Sequence, residues 1–204
     1  MRQKSTAVDK RGGMAGQRTR RRKGDDTKRR ILEAARCRFS EDGYERTTIR
    51  AVATDASIDP SMVMRYFGSK EGLFAAAASF DLHLPDLAVV ACTKRGERLA
   101  RHYLDLWEGG GGGLHILLRA AATNDAAAAR VRDIFECQVL PVVVAVEPDA
   151  PLTRAGLIAS QLLGLAYCRY VLGLPALTRV SQSVLVASVG RTLQRYLHDP
   201  ICGA

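Results

Sequence analysis

Apolar residues recur through most of the chain at intervals of three and four, which is the spacing of a buried helix face. The first stripe of this kind consists of Ile31, Leu32, Ala35 and Phe39. Further stripes predict helices at about 95–107, 114–123, 125–147, 151–173 and 178–198. No segment alternates apolar and polar residues with the period of two that a half-buried strand requires. The pattern therefore predicts an all-α protein.

Turn and capping residues divide the region after residue 24 into four short helices, predicted at about 25–43, 48–56, 60–67 and 70–80. Short oxygen-bearing side chains cap free helix amides, and proline suits the first helical position. The predicted capping residues are one of Asp25, Asp26 and Thr27, then Thr47, Asp59 before Pro60, and Ser69. A tight turn at Ser57 and Ile58 joins the second helix to the third.

The second and third helices carry apolar residues that can hold them together at a steep angle. These residues are Ile49, Val52, Ala53, Ile58, Val63 and Phe67. The opposite side of the third helix presents Ser61 and Arg65, with Met62 and Met64 at its edges. Arginine can pair with a guanine edge in the major groove, and methionine can contact a thymine methyl group. Spacing alone fits a DNA-binding helix-turn-helix and two ordinary surface helices equally well.

The surrounding sequence distinguishes these alternatives. The run TTIRAVATDASIDPSMVMRYFGSKEGLF at 47–74 resembles the DNA-binding domain of the tetracycline-repressor (TetR) family, and so do ILEAA at 31–35 and FSEDGY at 39–44. The resemblance implies an N-terminal three-helix helix-turn-helix domain at 25–73, followed by a helical ligand-binding and dimerisation domain at 74–204. Ser57 stands where the family often has glycine. Met64 stands where it often has tyrosine, which is expected to alter base preference.

The resemblance also implies which residues contact DNA. Helix-terminal amides attract phosphate at the starts of the second and fourth helices, while the third helix faces the bases. The implied DNA-binding residues are Thr47, Thr48, Arg50, Ser61, Met62, Met64, Arg65, Tyr66 and Lys70. Simpler roles are open for three of them. Thr47 can act only as a helix cap, Tyr66 can pack against the fourth helix, and Lys70 can be a solvated charge.

The net charge of +9 is concentrated at the N-terminus. Residues 1–24 hold nine basic side chains and one acidic side chain, whereas residues 25–204 hold twenty-one and twenty. This composition predicts a disordered basic arm with a polyanionic partner. We expect Arg20, Arg21 and Arg22 to contact the DNA backbone or the minor groove. A solvated tail is the alternative, and membrane binding is disfavoured because the arm lacks an apolar face.

Specific recognition of DNA by a helix-turn-helix requires two copies, because one copy contacts only a few base pairs. The last two predicted helices carry apolar stripes with small residues that allow close approach. The predicted homodimer interface consists of Ile158, Leu162, Leu165, Ala166, Tyr170, Val180, Val184 and Ala187. The alternative is that these residues form the core of a single chain. The resemblance implies a four-helix bundle across a two-fold axis and a palindromic operator.

The middle helices are expected to enclose a mostly apolar cavity for a small hydrophobic or amphipathic effector that releases a repressor from DNA. The candidate ligand-binding residues are Phe80, Tyr103, Leu104, Trp107, His115, Leu118, Arg119, Phe135, Gln138 and Gln161. For each of them an ordinary core or surface position is the simpler interpretation. For Arg119 the simpler role is an ion pair with Asp133 or Glu136.

The remaining sequence features argue against other classes of function. Five cysteines without metal-ligand spacing predict no disulfide framework and no metal site, and they favour the reducing cytoplasm. No apolar run predicts a signal peptide or a membrane span. No nucleophile–base–acid set or nucleotide-binding loop is present, so neither a cofactor nor an enzymatic activity is predicted. Two alternatives stay open, a redox-sensing regulator using Cys92 or Cys137 and, less favoured, a small-molecule enzyme without DNA binding.

Overall fold

The computed structural model describes the backbone of residues 11–109 and 112–201, and the side chains of residues 24–109 and 113–201. Its α-helices are α1 (Arg11–Glu41), α2 (Gly43–Arg46), α3 (Ile49–Asp55), α4 (Pro60–Phe67), α5 (Lys70–Ala77), α6 (Arg95–Glu108), α7 (Gly112–Ala120), α8 (Asp125–Ile134), α9 (Leu140–Val144), α10 (Pro151–Ala166), α11 (Pro175–Thr178) and α12 (Gln182–His198). Two 3₁₀ turns, Leu87–Val89 and Cys92–Lys94, precede α6. The described residues contain no strand, which confirms the predicted fold class.

Helices α1, α3, α4 and α5 pack around one apolar core in the N-terminal part of the chain. Its fully buried side chains include Ile31, Phe39, Val52, Val63, Leu73 and Phe74. The rings of Phe39 and Phe74 meet edge to face with 5.1 Å between centroids, and Tyr44 contacts Phe74 at 5.0 Å. Ile31, Phe39, Val52 and Val63 belong to the predicted apolar stripes, whereas Leu73 and Phe74 add a part of the core that the stripes did not include.

Helix α1 is longer than the sequence predicted. It begins at Arg11, so the predicted start at residues 25–27 and the predicted disorder of residues 11–24 are wrong. Residues 1–10 of the predicted arm lie outside the described part of the chain. Arginine, lysine, glutamine and alanine are good helix formers, and no proline interrupts this segment. The first helix can therefore extend into the arm despite the glycines and the repeated positive charge.

The turn between α3 and α4 contains a left-handed residue, because Ser57 has a φ of 53°. This is the position at which the resembling family often has glycine, the residue that adopts positive φ most readily. A left-handed conformation costs a non-glycine residue roughly 1–2 kcal/mol, so neighbouring contacts must compensate. The Ile58 N–H donates to Ala53 O at 3.0 Å, and the Arg30 guanidinium from α1 donates to Ala56 O. The turn is thus held by one hydrogen bond to α3 and one from α1.

Helices α6 and α12 form the most extensive helix pair of the fold, and they cross at two glycines. A Cβ atom added to Gly96 would lie 2.3 Å from the carbonyl oxygen of Gly190. The Gln194 side chain joins the same crossing, because it accepts from the Gly96 N–H and donates to Cys92 O, both at 2.9 Å. Only glycine allows this backbone approach, which the apolar periodicity did not reveal.

Two π-helical segments, Phe135–Val139 and Tyr167–Val171, continue α8 and α10. In the first segment the Leu140 N–H donates to Phe135 O, five residues earlier in the chain. Pro141 follows directly and has no N–H to donate, so the regular helical hydrogen-bond pattern is interrupted at this point. The predicted helix at 125–147 is therefore one continuous element built of α8, a π-helical segment and α9.

Candidate nucleic-acid interface and ligand cavity

Helix α4 presents its polar side to solvent. Ser61, Met64 and Arg65 are exposed and Met62 is half-buried, while Val63 on the other side is fully buried in the core. The Asp59 carboxylate caps the helix by accepting from the Ser61 N–H at 2.8 Å. Hydrogen bonds from the Ser61 side chain and from its N–H lower the pKa of Asp59. The face that the sequence assigned to the DNA bases is thus largely exposed and supported by a buried opposite face.

The start of α3 corrects one predicted contact. The Thr48 side chain caps α3 by accepting from the Ala51 N–H at 3.1 Å, and both Thr48 and Arg50 are exposed. Thr47 is 2% exposed, and its hydroxyl donates to Gly43 O at 2.7 Å. Thr47 is therefore neither the cap nor accessible to DNA, because its side chain faces the core. Two adjacent threonines cannot be assigned without knowing which of them faces that core.

Lys70, the first residue of α5, is folded against its own domain. Its ammonium donates to Glu45 O at 3.1 Å and lies 4.5 Å from the ring centroid of Tyr44. The Tyr44 hydroxyl donates to Glu71 at 3.0 Å. Burial, together with this hydrogen bond, raises the pKa of Tyr44 to about 12. A contact between Lys70 and a phosphate would therefore require the side chain to leave these partners.

The remaining predicted DNA contacts are Tyr66 and three arginines of the basic arm. Tyr66 is half-buried beside Phe67, with 6.4 Å between ring centroids, and the Arg65 guanidinium lies 5.6 Å from the Tyr66 ring. Tyr66 thus packs partly against residues of its own helix, and its predicted contact with DNA stays a prediction. The side chains of Arg20, Arg21 and Arg22 lie outside the described residues, although their backbone belongs to α1.

Sequence reasoning missed an ion pair that ties α1 to α3. The Arg38 guanidinium binds the Asp55 carboxylate with two hydrogen bonds, of which Nη2 to Oδ1 measures 3.0 Å. The pairing raises the pKa of Arg38 and lowers that of Asp55. The two residues are 17 positions apart, so no helical spacing relates them. This contact fixes the C-terminal end of α3 next to the turn that positions α4.

The C-terminal part of the chain encloses a cavity of about 520 Å³ between α6, α8, α9, α10 and the segment after α5. Its apolar lining is formed by Leu82, Leu84, Leu87, Leu99, Tyr103, Leu114, Val131, Ile134, Phe135, Val139, Val142, Val143, Ile158, Ala159, Leu162 and Leu163. The polar side chains at its edge, Arg132, Glu136 and Ser160, are exposed. The volume suits a small organic molecule, with an apolar interior and a charged rim.

Two of the ten predicted ligand-binding residues, Tyr103 and Phe135, line this cavity. Leu104 and Trp107 are buried in the helical core, and the Trp107 ring stacks on Tyr170 at 4.9 Å between centroids. The half-buried residues that do not line the cavity are Phe80, His115, Leu118, Gln138 and Gln161. These seven residues and Arg119 do not line the cavity, so the structure does not support them as contacts for a ligand bound there. Helical spacing cannot tell a cavity wall from a core.

Arg119 and Gln138 instead hydrogen-bond to backbone groups of other segments. The exposed Arg119 donates to Ser40 O of α1 at 2.8 Å, rather than pairing with Asp133 or Glu136 as the sequence suggested. The Gln138 amide accepts from the Leu82 N–H at 2.7 Å and donates to Phe80 O at 3.2 Å. Two hydrogen bonds with Gln138 therefore hold the segment that links α5 to the cavity wall.

The predicted dimer residues fall into two groups. Ile158, Leu162, Leu165 and Ala166 are buried within the single chain, so their side chains cannot form an interface and that assignment is corrected. Tyr170 and Val180 are half-buried, whereas Val184 and Ala187 are exposed on α12. The sequence identified two stripes of suitable spacing but could not determine which side of each helix faced its own core.

Within the described residues, no group of three metal-ligating side chains could hold a metal ion. No helix of that part of the chain combines the length and the apolarity needed to cross a membrane.

Two family models match the chain. One, described as bacterial regulatory proteins of the tetR family, matches residues 31–77, and the other, described as a tetracyclin repressor-like C-terminal domain, matches residues 94–197. The two matches cover the helix-turn-helix and the helices that surround the cavity. No curated protein sequence matches the chain.

Several solved structures share the fold. A TetR-family regulator from Streptomyces coelicolor is 27% identical, with a TM-score of 0.60 over 85% of this chain and 95% of the other. A transcriptional regulator from Rhodococcus sp. RHA1 is 23% identical, with a TM-score of 0.63 over 83% and 95%. A flavonoid-responsive regulator is 18% identical, with a TM-score of 0.57 over 84% and 96%. With its exposed α4 face and these matches along most of its length, the chain belongs to the TetR family and is a DNA-binding regulator of transcription.

Proposed function

We propose that the protein is a cytoplasmic repressor that binds a palindromic operator as a homodimer and is released by an apolar or amphipathic small molecule. In this proposal residues 25–73 bind DNA and residues 74–204 bind the ligand and the second copy. The observation that carries it is the exposed polar face of α4, because Ser61 and Arg65 project from a helix whose opposite side is locked into the core.

The chemistry of that face supports major-groove binding. An exposed arginine can form two hydrogen bonds with a guanine, and the neighbouring Met64, which is 44% exposed, offers an apolar contact for a thymine methyl group. Thr48 and Arg50 lie at the exposed start of α3, where a hydroxyl and a guanidinium can contact phosphates. Lys70 would add a phosphate contact after releasing Glu45 O.

The dimer in this proposal uses the exposed sides of α10 and α12. On α10, Leu152, Gly156, Ser160 and Gly164 recur every four residues, and all four are exposed. Nothing lies within 4 Å of a Cβ atom added to Gly156 or Gly164, so a second helix could approach closely there. Val184 and Ala187 supply the matching exposed positions of α12. Gly156 and Ser160 also line the cavity, so a second copy would cover its mouth.

Ligand release would run through the Gln138 hydrogen bonds. Leu82 lines the cavity, and its N–H is held by Gln138 from the π-helical segment whose Phe135 and Val139 also line the cavity. The same Gln138 holds Phe80 O, shortly after the end of α5. A ligand that moved these side chains would thus shift the segment attached to α5 and, with it, the angle between the two DNA-binding domains.

The DNA-binding proposal is tested by footprinting on the region upstream of the protein's own gene, followed by titration of the protected duplex. Arg65→Ala should weaken binding by about 1–3 kcal/mol, or roughly 5- to 150-fold, because a paired base contact is lost. Lys70→Ala should weaken binding to all DNA sequences about equally. It should also lower the slope of log affinity against log salt concentration by about one. Arg98→Ala, an exposed arginine on α6, is the matched control and should bind as the wild type does. Equal affinity of all four proteins would refute the proposed interface.

The release step is tested with Gln138→Leu, which keeps the side-chain volume and removes both hydrogen bonds. A flavonoid is a reasonable first probe, since one structural neighbour is named as flavonoid-responsive. Once a probe that binds and releases DNA is found, Gln138→Leu should still bind it but show a smaller change in operator affinity. The control is Gln182→Leu, which loses a hydrogen bond to Asp105 away from the cavity. Full release of Gln138→Leu by the probe would exclude this route.

A further inference from the structure

Cys92, His198 and Glu147 form a side-chain array outside the DNA-binding face and the cavity. The Cys92 Sγ lies 3.6 Å from His198 Nε2, and His198 Nδ1 lies 3.6 Å from a carboxylate oxygen of Glu147. The three residues come from the turn before α6, the last residue of α12 and the loop after α9. A thiol beside an imidazole that is oriented by a carboxylate is the arrangement that activates a sulfur nucleophile.

The backbone around the array is held by a buried arginine. Arg154 is 2% exposed, and its guanidinium donates to Asp149 O at 2.7 Å and to Tyr196 O and Asp199 O at 2.9 Å each. It therefore ties the loop that carries Glu147 to the end of α12 that carries His198. Gln194 fixes the third component, because it donates to Cys92 O at 2.9 Å. The array is thus built on positions that the fold holds in place.

We propose that Cys92 is a peroxide-reactive thiol, with His198 as the proton acceptor and Glu147 as the residue that orients the imidazole. Glu147 next to Nδ1 favours the tautomer with the proton on that nitrogen, which leaves Nε2 free to accept the thiol proton. The thiolate attacks one oxygen of a hydroperoxide and the O–O bond breaks. The leaving hydroxide or alkoxide takes the proton from His198, so a sulfenic acid and water or an alcohol are formed.

The surroundings suit this chemistry. Cys92 is exposed, so a small oxidant can reach it. The nearby charged side chains are already paired. The Lys94 ammonium lies 3.4 Å from a carboxylate oxygen of Glu97, and the Arg195 Nε lies 3.3 Å from a carboxylate oxygen of Asp199 at the end of α12. Asp149 is bound by Arg154 at 3.2 Å. His198 therefore remains the group in contact with the sulfur.

The chain supplies its own reference thiols for the test. Cys37 and Cys137 are also exposed, and among the described residues neither has a histidine within hydrogen-bonding distance. The purified full-length protein is treated with hydrogen peroxide at several pH values, the sulfenic acid is trapped with dimedone, and each cysteine is followed by peptide mass spectrometry. At pH 6.5 we expect Cys92 to react about fivefold faster than the reference thiols, because only Cys92 has an imidazole in position to accept its proton.

Variants separate activation from simple exposure. His198→Gln should bring the Cys92 rate down to that of Cys37 and Cys137, and Glu147→Gln should lower it partly and move its pH dependence upward. His83→Gln, which alters an exposed histidine of another segment, should leave the rate unchanged. If His198→Gln lowers the melting temperature, Glu147→Gln and the wild-type pH profile decide the outcome. Equal rates at Cys92 and Cys37 across the pH range, or a Cys92 rate unaffected by His198→Gln in a folded variant, would overturn the proposal.

Discussion

Replacement of Gly96 by alanine provides a direct test of the crossing between α6 and α12. In a helix interior alanine is favoured over glycine by about 0.8–1.0 kcal/mol, so propensity alone predicts a more stable protein. The structure predicts the opposite. A Cβ atom at position 96 would lie 2.3 Å from Gly190 O and 2.5 Å from Gln194 N, both backbone atoms that cannot rotate away.

The size of the effect follows from the movement that this clash demands. Ordinary contacts of a Cβ atom lie beyond 3.4 Å, so α12 would have to move away by about 1 Å. A gap of that size along a packed helix pair removes about a quarter to a half of the dispersion energy of each contact. Overpacking of this kind typically costs about 1–3 kcal/mol, and we expect the upper end because the strain falls on two backbones.

The assay is urea unfolding at one protein concentration, followed by far-ultraviolet circular dichroism. Gly24→Ala is the matched control, because it is also a helical glycine but its added Cβ would meet nothing closer than Tyr66 Oη at 3.5 Å. We expect Gly24→Ala to raise the free energy of unfolding by about 0.5–1 kcal/mol and Gly96→Ala to lower it by about 2–3 kcal/mol. The reasoning is refuted if Gly96→Ala is as stable as the wild type.

Three further predictions concern stability. Arg154→Met should lower the free energy of unfolding by about 3 kcal/mol in urea titrations, because three carbonyl groups lose a buried donor. A loss below 1 kcal/mol would show that water replaces the guanidinium. Thr48→Ala should cost about 1 kcal/mol in the same assay through loss of the α3 cap. An unchanged value would mean that another group caps the helix. Burial lowers the pKa of His115. The unfolded chain therefore binds more protons as the pH falls through about 6.5, and stability should decrease below that pH. His115→Gln should flatten the decrease, and an identical pH dependence in both proteins would contradict this assignment.

The DNA-binding part was the more predictable part of the molecule. Its core positions, the Asp59 and Ser69 caps and the exposed side of α4 follow from local spacing and capping chemistry within a short segment. The role of Thr47 and the conformation of Ser57 did not follow from local spacing, for a shared reason. Whether a threonine faces the core, and whether a serine can hold a positive φ, depends on residues of α1 and α2 that contact them.

The cavity and the dimer stripes were less predictable. An apolar residue at helical spacing faces some neighbour, but spacing does not specify whether that neighbour is a core, an empty volume or a second chain. Ile158 and Leu162 illustrate the limit, since both lie on the predicted stripe and both are buried within the single chain. Leu82 and Leu84, which line the cavity, lie outside any helix and therefore carried no periodic signal.

The sequence by itself determined the helical class, the helix-turn-helix and its outward-facing residues, because these depend on contacts between residues near each other in the chain. The tertiary structure alone decided which apolar side chains enclose the cavity, how Gln138 reaches the segment after α5, and that Cys92 meets His198 more than a hundred residues away. Such contacts depend on how whole helices pack, which local spacing does not encode.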